Sequence, residues 1–283
     1  MNTYNHHIKK SPIHHIIMAY IQLEHISFEY PNQTLALDQV NLHIEKGQKV
    51  AVVGENGSGK SSLFLCLCGI HHAQTGRYIL DGEEQKCKRK DRNKLFRKVG
   101  YVFQDPEVQL FASTVEKDIS FGAINAGMKG DELQQCMNEV MEMTQTHELR
   151  NKPPHQLSYG QKKRVAIAGV LACKPEVLLL DEPFAWLDNQ QKKNTIQVLD
   201  RLHEQNKTII ISTHDINFAY EWADKLVVMK EGRIIATGHP KDLLEDEDLL
   251  ESAGLEIPLI LQLSKKLNLD LRPNSMAEFF SMS

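Results

Sequence analysis

The chain has 283 residues, 41% of them hydrophobic and 25% charged, with a net charge of −4. That is enough chain to bury a core in one large domain or two small ones. The balance is that of a soluble globular protein and gives no electrostatic reason to expect a nucleic-acid partner. No apolar run approaches the roughly 20 residues of a membrane-spanning helix, so any membrane role is expected to come through a partner.

Residues 1–18 carry two histidine pairs, His6-His7 and His14-His15, and lack both a long apolar core and a small-residue cleavage site. They read as a disordered extension and not as a secretory signal. From Ile21 to Tyr30 apolar and polar residues alternate as in a half-buried strand, and Leu37 to Ile44 alternates less regularly. Glu45-Lys46-Gly47 turns the chain into Gln48 to Val53, a short apolar run suited to a buried parallel strand. Gly54-Glu55-Asn56-Gly57-Ser58-Gly59-Lys60-Ser61 follows, and then Ser62 to Leu67, which suits a packed helix. Strand, glycine-rich turn and helix are the setting of a phosphate-binding loop. Its backbone N–H groups close around phosphate oxygens at a helix N-terminus, Lys60 is placed to reach the β- and γ-phosphates, and Ser61 to ligate Mg²⁺.

Beyond the loop, Tyr78 to Leu80 reads as a strand ending in an Asp81-Gly82 turn. Lys86 to Lys98 is basic and reads as a solvated loop leading into a helix, and Gly100 to Gln104 as a further strand. From Pro106 to about Pro154 strand signals vanish, and a helical insertion is expected. Val165 to Ala172 is helical, and Glu176 to Leu180 is a fully buried strand delivering Asp181 and Glu182 at its end. Helix is expected over Gln190–Gln205, with strands at Thr208–Ser212, Leu226–Met229 and Arg233–Thr237. Strands alternating with helices around a phosphate loop predict an α/β fold with a mostly parallel sheet covered on both faces.

In such sheets ligands collect at the carboxyl ends of strands. Asp181 is therefore expected beside Lys60 and Ser61 as a Mg²⁺ holder, and Glu182 as the group that polarises an attacking water. His214 ends another strand and is placed to sense the γ-phosphate. Leu157-Ser158-Tyr159-Gly160-Gln161 opens a helix whose first turn carries Lys162, Lys163 and Arg164. Free N–H groups there, reinforced by positive charge, read as a second anion site, one that makes sense if it serves another subunit's nucleotide. Cys66, Cys68, Cys87, Cys136 and Cys173 show no paired spacing, which argues for idle thiols over zinc or a disulfide framework. Cys66 and Cys68 are expected to point to different sides of their helix.

Together these motifs resemble an ABC-transporter ATPase over about residues 19–270. Gly54 to Ser61, with Ser62 after them, match its Walker A motif, and Asp181 and Glu182 its Walker B. Gln104 matches the Q-loop glutamine, Ser158 to Gln161 the signature motif, Ala185 to Asp188 the D-loop and His214 the switch histidine. Tyr30 matches the aromatic residue that stacks on adenine. The resemblance implies a P-loop NTPase core of ABC type over 19–245, with an antiparallel β subdomain and a helical subdomain at about 106–160, then a C-terminal extension over 246–283. It implies ATP as substrate with Mg²⁺, held by Ser61, Gln104 and Asp181, and catalysis by Glu182, His214 and Gln104. Two such domains, identical or paralogous, sandwich ATP between one subunit's phosphate loop and the other's signature.

Val102 to Phe111, Val165 to Ala172 and Gly254 to Leu259 are similar to the energy-coupling-factor group, the cobalt/nickel ATPase CbiO and the vitamin-importer ATPases EcfA. That resemblance implies an integral membrane coupling subunit, contacted through Asp105 or Glu107, and a substrate-specific membrane subunit. The protein would lie at the cytoplasmic face of the membrane, driving uptake of cobalt or nickel, with a vitamin as the alternative. A soluble ABC ATPase of translation or DNA repair is a competing reading; the paired domains, coiled coils or zinc cysteines usual there are not seen. A non-hydrolysing regulatory subunit is a third, opposed by the intact Glu182 and His214. The chain departs from the family pattern at Tyr159, where the signature usually has glycine, and at Trp186, where the D-loop usually has a small residue.

Overall fold

The computed structural model describes residues 19–86, 89–267 and 273–282. The extension expected over 1–18 lies outside them, with its histidine pairs, as does Cys87. A six-stranded sheet forms the centre: β3 (Lys49–Val53), β6 (Val99–Val102), β7 (Val177–Asp181), β8 (Thr208–Ser212), β9 (Lys225–Lys230) and β10 (Arg233–Gly238), in the order β10-β9-β3-β8-β7-β6. All neighbours are parallel except β10, which pairs antiparallel with β9. A second, antiparallel sheet packs over it, in the order β2-β1-β4-β5, from β1 (Ile21–Glu29), β2 (Leu35–Ile44), β4 (Thr75–Leu80) and β5 (Glu83–Glu84).

Side-chain alternation explains the layering, because successive residues of a strand face opposite sides. Val50, Val52, Val177, Leu179 and Ile210 join the cluster beneath the antiparallel sheet and α1 (Lys60–Leu67). Ala51, Val53, Leu178, Leu180, Ile209 and Ile211 join the cluster on the other face, under α3 (Val115–Asn125), α4 (Gly130–Met143), α5 (Tyr159–Leu171) and α6 (Asn189–Glu204). Strands buried on both faces have no polar side to show, which is why they read as continuous apolar runs.

The basic stretch near Lys86 is more ordered than expected: α2 spans Arg89–Lys98, so helix occupies most of it. Cys66 and Cys68 point to different sides, as the helical spacing implies: Cys66 lines a cavity with Leu23, Ile26 and His71, and Cys68, the helical C-cap, lines another with Val99, Tyr101 and Phe103. Both are buried, which pushes both thiols up to about 12.

Past α7 (Ile216–Trp222) and α8 (Pro240–Leu243) come α9 (Glu247–Ser252), α10 (Leu259–Lys266) and α11 (Met276–Met282). Leu250, Ala253, Ile260, Leu261 and Phe279 are buried in the cluster that contains Leu178 and Ile209. The C-terminal residues thus cover this chain's own core, while Leu259 remains half exposed. Among the described residues no helix is long and apolar enough to cross a membrane, and no group of His, Cys, Asp and Glu is arranged to hold a metal ion.

Candidate functional site

The strand order carries the carboxyl ends of β3, β8, β7 and β6 to one edge of the sheet. A cavity of about 1140 Å³ opens there. It is lined by Tyr30, Gly54, Glu55, Asn56, Gly57, Gly59, Lys60, Ser61, Ser62, Gln104, Asp181, Glu182 and His214, residues drawn from five separate stretches of sequence.

The loop between β3 and α1 depends on its glycines. Gly59 sits at the helix N-cap with φ 103°, where a Cβ would lie 2.7 Å from the Ala36 carbonyl oxygen. Gly54 has φ 147°, and a Cβ there would meet the Met229 carbonyl oxygen at 2.2 Å. Neither position accepts a side chain without moving backbone. Ser58 Oγ is buried within the loop, close behind Gly54, and has no hydrogen-bond partner among the described residues. The Lys60 ammonium curls back and donates to the carbonyls of Gly54, at 2.7 Å, and Glu55, at 2.9 Å. Burial lowers its pKa, opposed by the nearby carboxylates of Glu182 and Asp181.

Asp181 and Ser212 are register partners across β7 and β8. The Ser212 hydroxyl donates to Asp181 Oδ1 and accepts from the Glu182 backbone N–H at 2.9 Å. The Tyr101 hydroxyl donates to the other Asp181 oxygen at 3.0 Å, and burial together with that carboxylate pushes the phenol pKa upward. Glu182 adopts φ 42°, the left-handed region where a non-glycine residue is strained, which turns it out of the strand line. His214 Nδ1 lies 3.0 Å from Glu182 Oε2, so the imidazole holds the carboxylate and leaves Nε2 for another partner.

Tyr30 lines the opposite end. Its ring packs edge-on against Phe28 and His71, and its hydroxyl is 3.1 Å from Ser62 Oγ. Sequence reasoning missed Ser212 and Tyr101, and also Gly254 to Ile257, which come back from the C-terminal segment to form part of the cavity wall. Gly254 rests so close to Glu55 that a Cβ would sit 2.1 Å from its carboxylate. Only the Gly254 to Leu259 run had marked that segment, and it pointed to kinship and not to the cavity.

Ser158, Tyr159, Gly160, Gln161 and Asp188 do not line this cavity. Ser158 and Asp188 are exposed and each begins a helix with a capping box: Ser158 with Gln161 for α5, Asp188 with Gln191 for α6. The expectation that Lys162 and Lys163 strengthen an anion site at this helix start is corrected. Lys162 pairs with Glu107, and Lys163, fully buried, donates to the carbonyls of Phe103 at 3.1 Å and Gln104 at 2.7 Å. Their positive charge is spent on the Q-loop segment because the side chains lean toward it across α5. Glu107 is therefore ion-paired within the chain, with 60% of its side chain still exposed. Asp105 accepts the Glu107 N–H at 2.9 Å and caps a short 3₁₀ turn over Pro106–Val108. Trp186 stands 82% exposed with φ 64°.

A family model described as ABC transporter matches residues 37–185. The energy-coupling factor transporter ATP-binding protein EcfA of Carboxydothermus hydrogenoformans is 42% identical over 86% of this chain and 89% of its own length. EcfA2 of Methanospirillum hungatei is 42% identical over 87% of this chain, which spans 62% of that relative. Among solved structures, cbiO1 from Clostridium perfringens, part of the ABC transporter complex cbiONQ, superposes with a TM-score of 0.75 at 39% identity, covering 87% of this chain and 99% of that one. The dimeric cassette MJ0796 in a post-hydrolysis state with ADP and Pi gives 0.71 at 28% identity, covering 78% and 98%.

Proposed function

This chain belongs to the ABC transporter family as an ATP-binding cassette of energy-coupling-factor type, an ATPase, and we propose that it powers import of cobalt or nickel from the cytoplasmic face of the membrane. The observation that carries the catalytic part is the meeting of Lys60, Gln104, Asp181, Glu182 and His214 around one cavity, with Ser158 turned to a different surface.

ATP enters with its adenine against Tyr30 and its phosphates in the Gly54–Ser62 loop, where the backbone N–H groups at the start of α1 meet oxygen. Lys60 exchanges its two carbonyl partners for β- and γ-phosphate oxygens, an exchange its desolvated charge favours. Ser61, Gln104 and Asp181 offer hydroxyl, amide and carboxylate oxygens, a set suited to Mg²⁺. Mg²⁺ held by these residues would supply charge neutralisation for the phosphates. Glu182 takes the proton of the attacking water, and His214 holds Glu182 through Nδ1 while Nε2 faces the γ-phosphate. A second cassette completes the site with its own signature stretch, Ser158 to Gln161, through the phosphate-facing groups of Ser158 and Gly160, and Asp188 borders that junction.

Asp105 and the exposed flank of Glu107 are the surface offered to a membrane subunit's arginine, with Glu107 favoured. For that, Glu107 would exchange one cationic partner, Lys162, for another. The metal reading draws support from the likeness to cbiO1, a part of cbiONQ; the EcfA relatives keep a vitamin as the second reading. Capture of the protein from detergent-solubilised membranes, with partners identified by mass spectrometry, tests this. Integral membrane subunits are expected, and their kind separates metal from vitamin. Soluble partners alone would return the translation-or-repair reading.

A further inference from the structure

The segment from Phe103 to Gln109 leaves the end of β6 and, among the described residues, has no strand beside it, so its backbone groups need partners elsewhere. α5 provides them. The Tyr159 hydroxyl donates to the Gln104 carbonyl at 3.1 Å, and Lys163 Nζ donates to the same carbonyl and to that of Phe103. Gln109 spans the same gap, accepting the Phe103 N–H at 3.2 Å and donating to the Ala166 carbonyl at 2.8 Å. The Lys162–Glu107 ion pair closes the outer side. Gln104 thus belongs mechanically to α5, although its side chain faces the nucleotide cavity at the sheet edge.

The consequence lies in where α5 begins. Ser158 is its N-cap, one residue before Tyr159, and is exposed outside this chain's own cavity. Resting on the reading that Ser158 serves the partner's nucleotide, we propose that Tyr159 is a positioning residue that couples the two ATP sites. It clasps the Gln104 carbonyl so that occupancy of the chain's own cavity sets the placement of its signature helix on the other. Glycine, the residue the family usually has here, has no group that makes this bond. Lys163 is the clasp's inner half: an ammonium wholly removed from water, with two carbonyls as partners, ties α5 to the loop at a fixed distance. A shift of Gln104 toward the nucleotide then carries Ser158 with it, because the links run through a first helical turn already rigidified by its capping box.

The test is Tyr159→Phe in the full-length protein, in the assembly in which it purifies. This keeps the ring and removes only the hydroxyl. Turnover is measured against ATP concentration, and affinity for a fluorescent ATP analogue is measured separately without hydrolysis. Loss of one neutral hydrogen bond predicts a roughly fivefold lower kcat. The Hill coefficient should fall toward one, with analogue affinity changed by less than about twofold. Tyr159→Phe combined with Lys163→Met should lower turnover further, again with affinity retained. Wild-type kcat and cooperativity in Tyr159→Phe would overturn the clasp, as would a loss confined to affinity, which places Tyr159 in nucleotide binding. A wild-type protein that binds the analogue and hydrolyses nothing would fail the ATPase reading first, and the clasp with it.

Discussion

Ser212→Ala removes a single oxygen atom and should disturb both carboxylates of the site. In the native chain that oxygen donates to Asp181 Oδ1 and accepts the Glu182 N–H, all within a fully buried stretch of β8. A hydrogen bond to a charged acceptor is worth about 1.5–3 kcal/mol, and a buried N–H left without a partner costs about 1–3 kcal/mol. Asp181 keeps the Tyr101 hydroxyl, so the loss is not compounded by a stripped carboxylate. The sum is about 2.5–6 kcal/mol. At about 2–4 °C per kcal/mol for a chain of roughly this size, the melting temperature should fall by about 5–24 °C. Trp222, buried and stacked on Phe218, reports the transition by fluorescence, whereas the exposed Trp186 contributes little change. Turnover should fall as well, by about 10- to 100-fold, because Glu182 is held in a strained backbone conformation by this bond and drifts without it. A melting shift below about 2 °C, or unchanged turnover, would refute the reasoning that Ser212 organises the pair.

Glu182→Gln should lower ATP turnover by at least about 100-fold while nucleotide binding persists and the closed dimer accumulates, seen by gel filtration with ATP; rapid turnover would remove its role as base. Leu261→Ala should destabilise the chain by about 2–5 kcal/mol in a denaturant titration, because the side chain is buried in the main cluster; a neutral result would mean that the C-terminal segment is not part of the core. Lys163 gives a pH signature. Burial lowers its folded pKa to about 8 from an ordinary 10.5, so between those values the unfolded chain holds the extra proton. This group's contribution to stability therefore rises with pH from about 8 to 10.5, and the burial penalty is felt in full below that window. The stability difference between wild type and Lys163→Met, measured at pH 7 and pH 10, should move in favour of wild type at the higher pH; a pH-independent difference would contradict it.

Much of the site was legible because its parts are short and local. A loop that cradles phosphate needs glycines and a lysine at fixed spacing between a strand and a helix, and residues 48–67 state this in one contiguous run. Asp181-Glu182 and His214 each follow an apolar run too short for anything but a buried strand, so their position at the sheet's carboxyl edge followed from pattern and chain economy. The same reasoning erred wherever a side chain's target lay far along the sequence. Lys162 and Lys163 looked like charges serving the helix start behind them, and tertiary packing aims them at a loop about 60 residues upstream. Ser212 looked like the plain end of a strand until the order β3-β8-β7 put it beside Asp181. Gly254 to Ile257 became a cavity wall only because α10 and α11 found an apolar place on the core. Periodicity and motif spacing record what a residue's near neighbours need, which is enough to name the chemistry. Which groups meet across the sheet is decided by how the faces bury one another, and no local pattern carries that information.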